Sequence, residues 1–263
     1  LGEGAFGVVY RALDLSSSPW SPTYRAVKII RKSVPDVPMM HELLQRETKL
    51  HRLVADIPNV LTLHGVFQSN NYMYLVLDYC PGGNLSDHII ERTFEKNDAL
   101  VRKVFVQILD AVHECHERDV YHRDLKPENI LCRKDGSGVY LADFGLATDA
   151  PRSEEFGCGS SYWMSPECIG YGYGYVPYST RQSDMWSLGV ILVNIIASCY
   201  PWHKAEVEDI SFSEFLDDPC SFYDRLPISR GAREILERVF RMHPVARITI
   251  PKLREAILNV DSF

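Results

Sequence analysis

The chain of 263 residues lacks any apolar run near the roughly 18 residues that a membrane-spanning helix needs. Its best candidate, Leu188 to Ala197, has ten residues and contains Asn194. No basic-then-apolar leader opens it and no internal repeat runs through it. Its seven cysteines, at 80, 115, 132, 158, 168, 199 and 220, are odd in number and form no Cys-x-x-Cys pair. That argues against a disulfide framework or zinc knuckle and predicts reduced thiols, in the cytoplasm or the nucleus. Positive charge is also short. Lys and Arg number 28 against 35 Asp and Glu, a net −7, so neither a nucleic-acid partner nor a membrane is expected. With 46% apolar and 24% charged residues, the chain is neither disordered nor collagen-like. The acid is uneven. Residues 1–80 hold 8 basic and 7 acidic side chains, leaving 20 and 28 for the rest, so a substrate groove there favours cations.

Residues 1–80 read mainly as strands. Gly7 to Tyr10 and Arg25 to Ile30 are β-branched runs separated by a turn-rich loop, Ser16 to Pro22. Val60 to Phe67 and Tyr72 to Tyr79 read as two more. One helix interrupts them, with Met39, Leu43, Leu44, Leu50 and Leu53 at helical spacing. Pro81-Gly82-Gly83 is the clearest break. Beyond it, helical periodicity dominates, around Leu100 to Val112, Ala232 to Phe240 and Leu253 to Val260. Met185 to Ala197 is apolar all round, as a helix buried in mid-domain is. Gly170 to Tyr175 reads as a surface loop. The expectation is an α+β fold of two lobes: a small antiparallel β lobe with one main helix, and a larger, mainly helical lobe.

Four motifs carry chemistry. Gly2-Glu3-Gly4-Ala5-Phe6-Gly7-Val8-Val9 is G-x-G-x-x-G-x-V, whose glycines let backbone N–H groups approach phosphate. A dinucleotide-binding turn shares the spacing, but that turn opens a helix, and here a second strand follows. Lys28 stands in an apolar strand, as a snorkelling edge lysine or as a phosphate grip. A grip needs a carboxylate partner, Glu47 or its rival Glu42. His122-Arg123-Asp124-Leu125-Lys126-Pro127-Glu128-Asn129 brings a carboxylate, an ammonium and an amide onto one loop, held extended before Pro127. Those groups suit orienting a hydroxyl, neutralising phosphate and holding a metal. Asp143-Phe144-Gly145 adds a second carboxylate, a hard oxygen site for Mg²⁺.

In this order, with Ser165-Pro166-Glu167, Asp184 and Arg247 after them, the motifs resemble the eukaryotic protein kinase family from Leu1 to about residue 260. The resemblance implies a single catalytic domain over 1–263, with an N-lobe of 1–80 cut at the glycine-rich loop and a C-lobe of 81–263. It implies ATP and Mg²⁺ as cofactors and proteins as substrates. Gly2, Glu3, Gly4 and Gly7 would then cover the nucleotide, and Lys28 would hold its phosphates and pair with Glu47. Leu77 would be the gatekeeper, with Asp78, Tyr79 and Cys80 as the hinge. Val9, Ala26 and Leu131 would sandwich the base, and Asn84 would lie near the ribose. Asp124 and Lys126 would act on the acceptor hydroxyl and the transferred phosphoryl. Asn129 and Asp143 would hold the metal, Glu167 would pair with Arg247, and Asp184 would anchor the catalytic loop.

Lys126 two residues after Asp124, with Gly159-Ser160 before Ser165-Pro166-Glu167, resembles the serine/threonine branch of that family. The segment from Phe156 to Cys168 is similar to fungal kinases of meiotic entry and nutrient response. Two other classes stay open: a pseudokinase scaffold, which usually lacks the lysine or a metal ligand, and a small-molecule kinase, which lacks the glycine loop. The chain departs from the family at Ser165, at Ile57 before Pro58-Asn59, and at His51, where an apolar side chain is usual. Serine and threonine acceptors are expected, with no proline requirement and a modest arginine preference through Glu128. Arg123 calls for an anion on the activation segment, yet Phe156 occupies the usual phosphorylated position. Thr148 and Leu43 stand where basic helpers are usual. Glu154 or Glu155 is expected to pair with Arg123, with phosphorylated Ser153 as the rival.

Overall fold

Strand alternation in the first eighty residues builds one antiparallel sheet. The computed structural model describes the whole chain except Ala5, Phe6, residues 33–39, Tyr171, Tyr173 and the side chain of Glu3. Strands β1 (Gly2–Gly4), β2 (Gly7–Leu13) and β3 (Tyr24–Arg31) are followed by helix α1 (Met40–Val54), β4 (Leu63–Gln68) and β5 (Tyr72–Asp78). The sheet order is β1-β2-β3-β5-β4. Register sets Val9 beside Lys28, and Lys28 beside Leu75. Gly7 has to be glycine, because a Cβ would stand 2.2 Å from the Ile29 carbonyl oxygen.

Helix α1 turns Met40, Leu44, Glu47, Leu50, His51 and Val54 inward. Leu53, expected on that face, is exposed, and His51 takes the core position instead. Met39 lies outside the described residues. The strand expected from Val60 starts only at Leu63, because Val60 bridges to Leu141 in the other lobe.

After Pro81-Gly82-Gly83 the chain is helical. Helix α2 (Leu85–Ile90) opens with a capping box between Asn84 and Asp87, and α3 (Asp98–Glu117) follows. A 3-10 turn at Pro127–Asn129 leads into the hairpin β6 (Ile130–Cys132) and β7 (Val139–Leu141). Strand β8 (Arg152–Ser153), helix α4 (Pro166–Ile169) and strand β9 (Tyr178–Ser179) frame the next segment. Helices α5 (Thr180–Ala197), α6 (Ile210–Asp217), α7 (Pro219–Asp224), α8 (Arg230–Val239) and α9 (Ile250–Asn259) complete the lobe.

Helix α5 is buried on nearly every face, as its uniform apolarity predicts. Trp186 on it packs 5.3 Å from Trp202 and 4.9 Å from Phe240, ring centre to ring centre. Burying side chains of this size stabilises by roughly 1.5–3 kcal/mol each, so this aromatic group anchors the second lobe. A smaller core of Ile30, Leu44, Met73, Leu75 and Leu77 holds the first lobe together. Among the described residues no helix is long and apolar enough to cross a membrane.

Candidate active site

The site lies where the sheet meets the loops after α3 and β7. Lys28 Nζ donates to Glu47 Oε1 at 2.8 Å and to Asp143 Oδ1 at 2.7 Å. Glu42, the rival partner, is exposed on α1. Burial pulls the Lys28 ammonium down, but the two carboxylates outweigh it and raise its pKa above the usual lysine range. Burial likewise pushes Asp143 up, and Lys28 beside it holds it lower than usual. Both groups are therefore charged at neutral pH.

The catalytic-loop residues converge on Asp124. Its Oδ1 accepts from Ser160 Oγ at 2.8 Å, and its Oδ2 lies 2.9 Å from Lys126 Nζ. Lys126 Nζ also donates to Ser160 Oγ at 2.7 Å. Asn129 Nδ2 donates to the Asp124 carbonyl at 2.9 Å and to its Oδ2 at 3.1 Å. With Nδ2 engaged there, Oδ1 is the Asn129 atom left to meet a cation.

Asp184, wholly buried at the start of α5, fixes this loop from below. It accepts from the backbone N–H of His122 and of Arg123, both at 2.9 Å, and from His116 Nε2 at 2.8 Å. Burial pushes its carboxyl up, but these donors win and its pKa is lowered. Arg123 adopts φ +63° and Asp143 φ +62°, a left-handed backbone that costs a non-glycine residue energy and concentrates at functional sites.

His51 fills its unusual position as a neutral imidazole. It sits 4.7 Å from the Phe144 ring, and Nε2 donates to the Leu61 carbonyl at 2.7 Å. Burial drives its pKa down to about 4. Val9, Ala26, Leu77, Cys80 and Leu131 come together in one apolar cluster that spans both lobes. Burial pushes the Cys80 thiol up to about 11, so it stays protonated.

The protein kinase domain family matches residues 1–257. The chain belongs to that family. Among its relatives are the "Negative regulator of sexual conjugation and meiosis" of Schizosaccharomyces pombe, 38% identical over 98% of this chain and 58% of the relative. "Serine/threonine-protein kinase VHS1" of Saccharomyces cerevisiae is 31% identical, over 100% and 69%. "Serine/threonine-protein kinase ksp1" of S. pombe is 34% identical, over 100% and 56%. The chain therefore spans between 56% and 69% of the length of these relatives. It is a serine/threonine-type protein kinase domain near fungal kinases, and such domains use a nucleoside triphosphate and a divalent metal.

In this kinase domain Lys28 meets Glu47 and Asp143, and Asp124 meets Lys126 and Asn129. Glu167 and Arg247 form a buried two-pronged pair, at 2.5 and 2.7 Å. Other expectations fare differently. Asn84 caps helix α2, with Oδ1 accepting from Asp87 N, so its side chain already has a structural partner. Asp78 belongs to β5. Its N–H donates to the Thr62 carbonyl, and its carboxylate takes Arg25 at 2.8 Å and His64 at 2.6 Å. Gly2 and Gly4 form β1, but the tip of the glycine loop lies outside the described residues, as do Tyr171 and Tyr173 of the Gly-Tyr stretch. Of the two candidate glutamates, Glu155 meets Arg123 at 2.6 Å. Ser160, a marker of the branch in the sequence, also joins the site, because its hydroxyl bonds to both Asp124 and Lys126. Arg46, beside Glu47, lies 3.7 Å from Glu155 without any local signal for that contact in the sequence.

Among the described residues no group of three or more His, Cys, Asp or Glu side chains assembles a metal site. Asp143 and the Asn129 oxygen alone fit a small hard cation that takes its remaining ligands from phosphate and water. They do not fit a closed protein cage.

Proposed function

We propose that this domain transfers the γ-phosphoryl group of ATP to serine and threonine hydroxyls of proteins. The carrying observation is that Lys28 bridges Glu47 and Asp143 while Asp124, Lys126, Asn129 and Ser160 share one hydrogen-bonded group. Val9, Ala26, Leu77, Cys80 and Leu131 supply an apolar slot for adenine. Asp143 and Asn129 would hold Mg²⁺, which supplies charge neutralisation at the phosphates.

The chain's own residues then do the following. Lys28 places an ammonium on the nucleotide phosphates, and Glu47 fixes its position. Asp124 orients the acceptor hydroxyl through a carboxylate oxygen and takes its proton. The hydroxyl oxygen bonds to the γ-phosphorus as the bridging P–O bond to the β-phosphate breaks, and ADP leaves with that electron pair. Lys126 offsets the charge on the transferred group. Phosphoryl transfer asks for positioning and charge stabilisation more than covalent chemistry, and this arrangement supplies both.

The scaffold reading asks for a missing lysine or metal ligand, and none is missing. Protein substrates, without nucleic acid or membrane partners, and a cytoplasmic or nuclear place are part of the proposal, supported by the acidic charge and seven unpaired thiols. An assay with labelled ATP, Mg²⁺ and a generic basic protein tests it. Label on serine or threonine is expected. Label on tyrosine, or hydrolysis alone, contradicts the reading.

A further inference from the structure

Serine precedes proline three times in the chain, at Ser18-Pro19, Ser21-Pro22 and Ser165-Pro166. Proline biases the residue before it toward extended backbone, the form in which a peptide enters another protein's groove. The structure separates the three. Ser165 is fully buried; its Oγ donates to Ser183 Oγ at 3.0 Å and accepts from Cys168 N at 3.3 Å, capping α4. Ser18 opens a tight turn. Its carbonyl accepts from Ser21 N at 3.0 Å across Pro19 and Trp20, and its Oγ accepts from Trp20 N at 3.3 Å. Ser21 is exposed, and its Oγ bonds to no described residue.

The loop that carries Ser21 joins β2 to β3. Ser17 pins its base, with Oγ donating to the Asp14 carbonyl at 2.5 Å and accepting from Thr23 N at 3.1 Å. Ser16 Oγ is likewise spent on Asp14 Oδ1, at 2.6 Å. Beyond that pin, the two contacts of Ser18 are the hydrogen bonds that hold the tip from Ser18 to Pro22 among the described residues. Trp20 is 95% exposed and Leu15 90%, so straightening the tip gives up no buried apolar surface. Such a segment opens at little cost. Pro19 and Pro22 already fix φ on both sides of Ser21, so less freedom is lost when the tip is bound.

We propose that Ser21 is a phosphorylation site, modified by a separate kinase that reads proline after the acceptor. Pro22 offers no N–H at that position, so the modifying enzyme is one whose groove needs no donor there. This domain's own acceptor preference carries no proline requirement, which separates modifier from modified. In the step, Ser21 Oγ bonds to the γ-phosphorus of ATP as the bridging P–O bond to the β-phosphate breaks. ADP leaves with that electron pair, and the hydroxyl proton passes to the modifying enzyme's base. Among the described residues no lysine or arginine forms an ion pair with the tip, and Arg25 at the loop's base is already engaged by Asp14 and Asp78. The phosphate therefore stands in solvent. It adds a dianion beside the exposed Trp20 indole and changes what this lobe presents to other molecules, not its catalysis.

The test uses the domain with Asp124→Asn, which silences its own transfer. It is incubated with Mg²⁺-ATP and a purified mitogen-activated protein kinase, a proline-directed enzyme, and the phosphorylated residue is mapped by mass spectrometry. Expected is about one phosphate per chain, on Ser21. Ser21→Ala should lose at least about 80% of the label, and Ser18→Ala should keep it within about twofold. Pro22→Ala should slow labelling at least about tenfold. Wild type phosphorylated in the same way and freed of the added kinase should keep kcat within about twofold of the untreated domain. Label chiefly on Ser18, no label on Ser21, or labelling indifferent to Pro22→Ala overturns the proposal. So does phosphate on Ser21 of wild type given Mg²⁺-ATP and no added kinase. If wild type transfers no phosphoryl group to any substrate, the kinase reading fails, and labelling of Asp124→Asn still decides whether Ser21 is a site.

Discussion

Lys28 and Asp143 lie 115 positions apart in the chain and 2.7 Å apart in space. Strand β3 carries the lysine, the loop after β7 carries the aspartate, and the contact joins the two lobes. Glu47 on α1 takes the same ammonium at 2.8 Å. Three elements therefore share one ion cluster, and the chemistry assigned to each depends on all three.

Asp143→Asn keeps an oxygen for Lys28 and removes the charge a divalent cation needs. Turnover should drop by at least about a hundredfold while the fold persists. Thermal shift with ATP, with and without Mg²⁺, checks the cause. Wild type should gain stability from adding Mg²⁺ to ATP, and the variant should lose that gain. A variant that still responds to Mg²⁺ means the metal ligand lies elsewhere.

Ser160 ties Asp124 to Lys126. Ser160→Ala should lower kcat by roughly ten- to a hundredfold, since it releases both charged groups from a shared position. Ser160→Thr retains the hydroxyl and should stay within about threefold. Equal loss in both variants points to packing, not to the hydroxyl.

His51 makes stability depend on pH. Its pKa falls from 6.5 to about 4 on folding. Between those values the unfolded chain binds more protons, so stability is full above about pH 6.5 and is lost as pH falls toward 4. Denaturant unfolding at pH 7.5 and pH 5 should show a loss of about 2 kcal/mol from this group. His51→Leu should remove that increment. An unchanged pH dependence in the leucine variant assigns the loss to other groups.

Arg247 neutralises buried Glu167 through two hydrogen bonds and stacks 4.8 Å above the Trp186 ring centre. Removing it leaves a buried carboxylate alone, which costs about 3–5 kcal/mol. Arg247→Ala should lower the unfolding midpoint accordingly, and Arg247→Lys should restore little, because one ammonium cannot span both oxygens. A midpoint within error of wild type shows that the carboxylate finds other donors.

The sequence made legible the parts in which local chemistry and long-range geometry agree. Asp124, Lys126 and Asn129 share one loop, so their convergence follows from spacing and from Pro127. The apolar run of α5 predicts its burial because no face of it suits water. Glu154 and Glu155 are equivalent partners for Arg123 in the sequence, and only the chain's path between β8 and α4 gives the contact to Glu155. Arg46 gives no local signal, because its acidic neighbour Glu155 lies 109 positions along the chain and only the fold brings the two within 3.7 Å. Asn84 shows the converse: a polar residue beside the site whose side chain a helix start claims first. Helices α6 and α7 left no periodic signal long enough to read, being eight and six residues.

Phosphoryl transfer by Asp124→Asn, measured in a single turnover with saturating Mg²⁺-ATP and a serine peptide, addresses the central claim most directly. Asn keeps the shape and cannot take the hydroxyl proton. The variant should bind nucleotide as wild type does and transfer at least about a hundredfold more slowly, with wild type labelling serine. Transfer by Asp124→Asn at the wild-type rate would contradict the role of Asp124 and the site built around it.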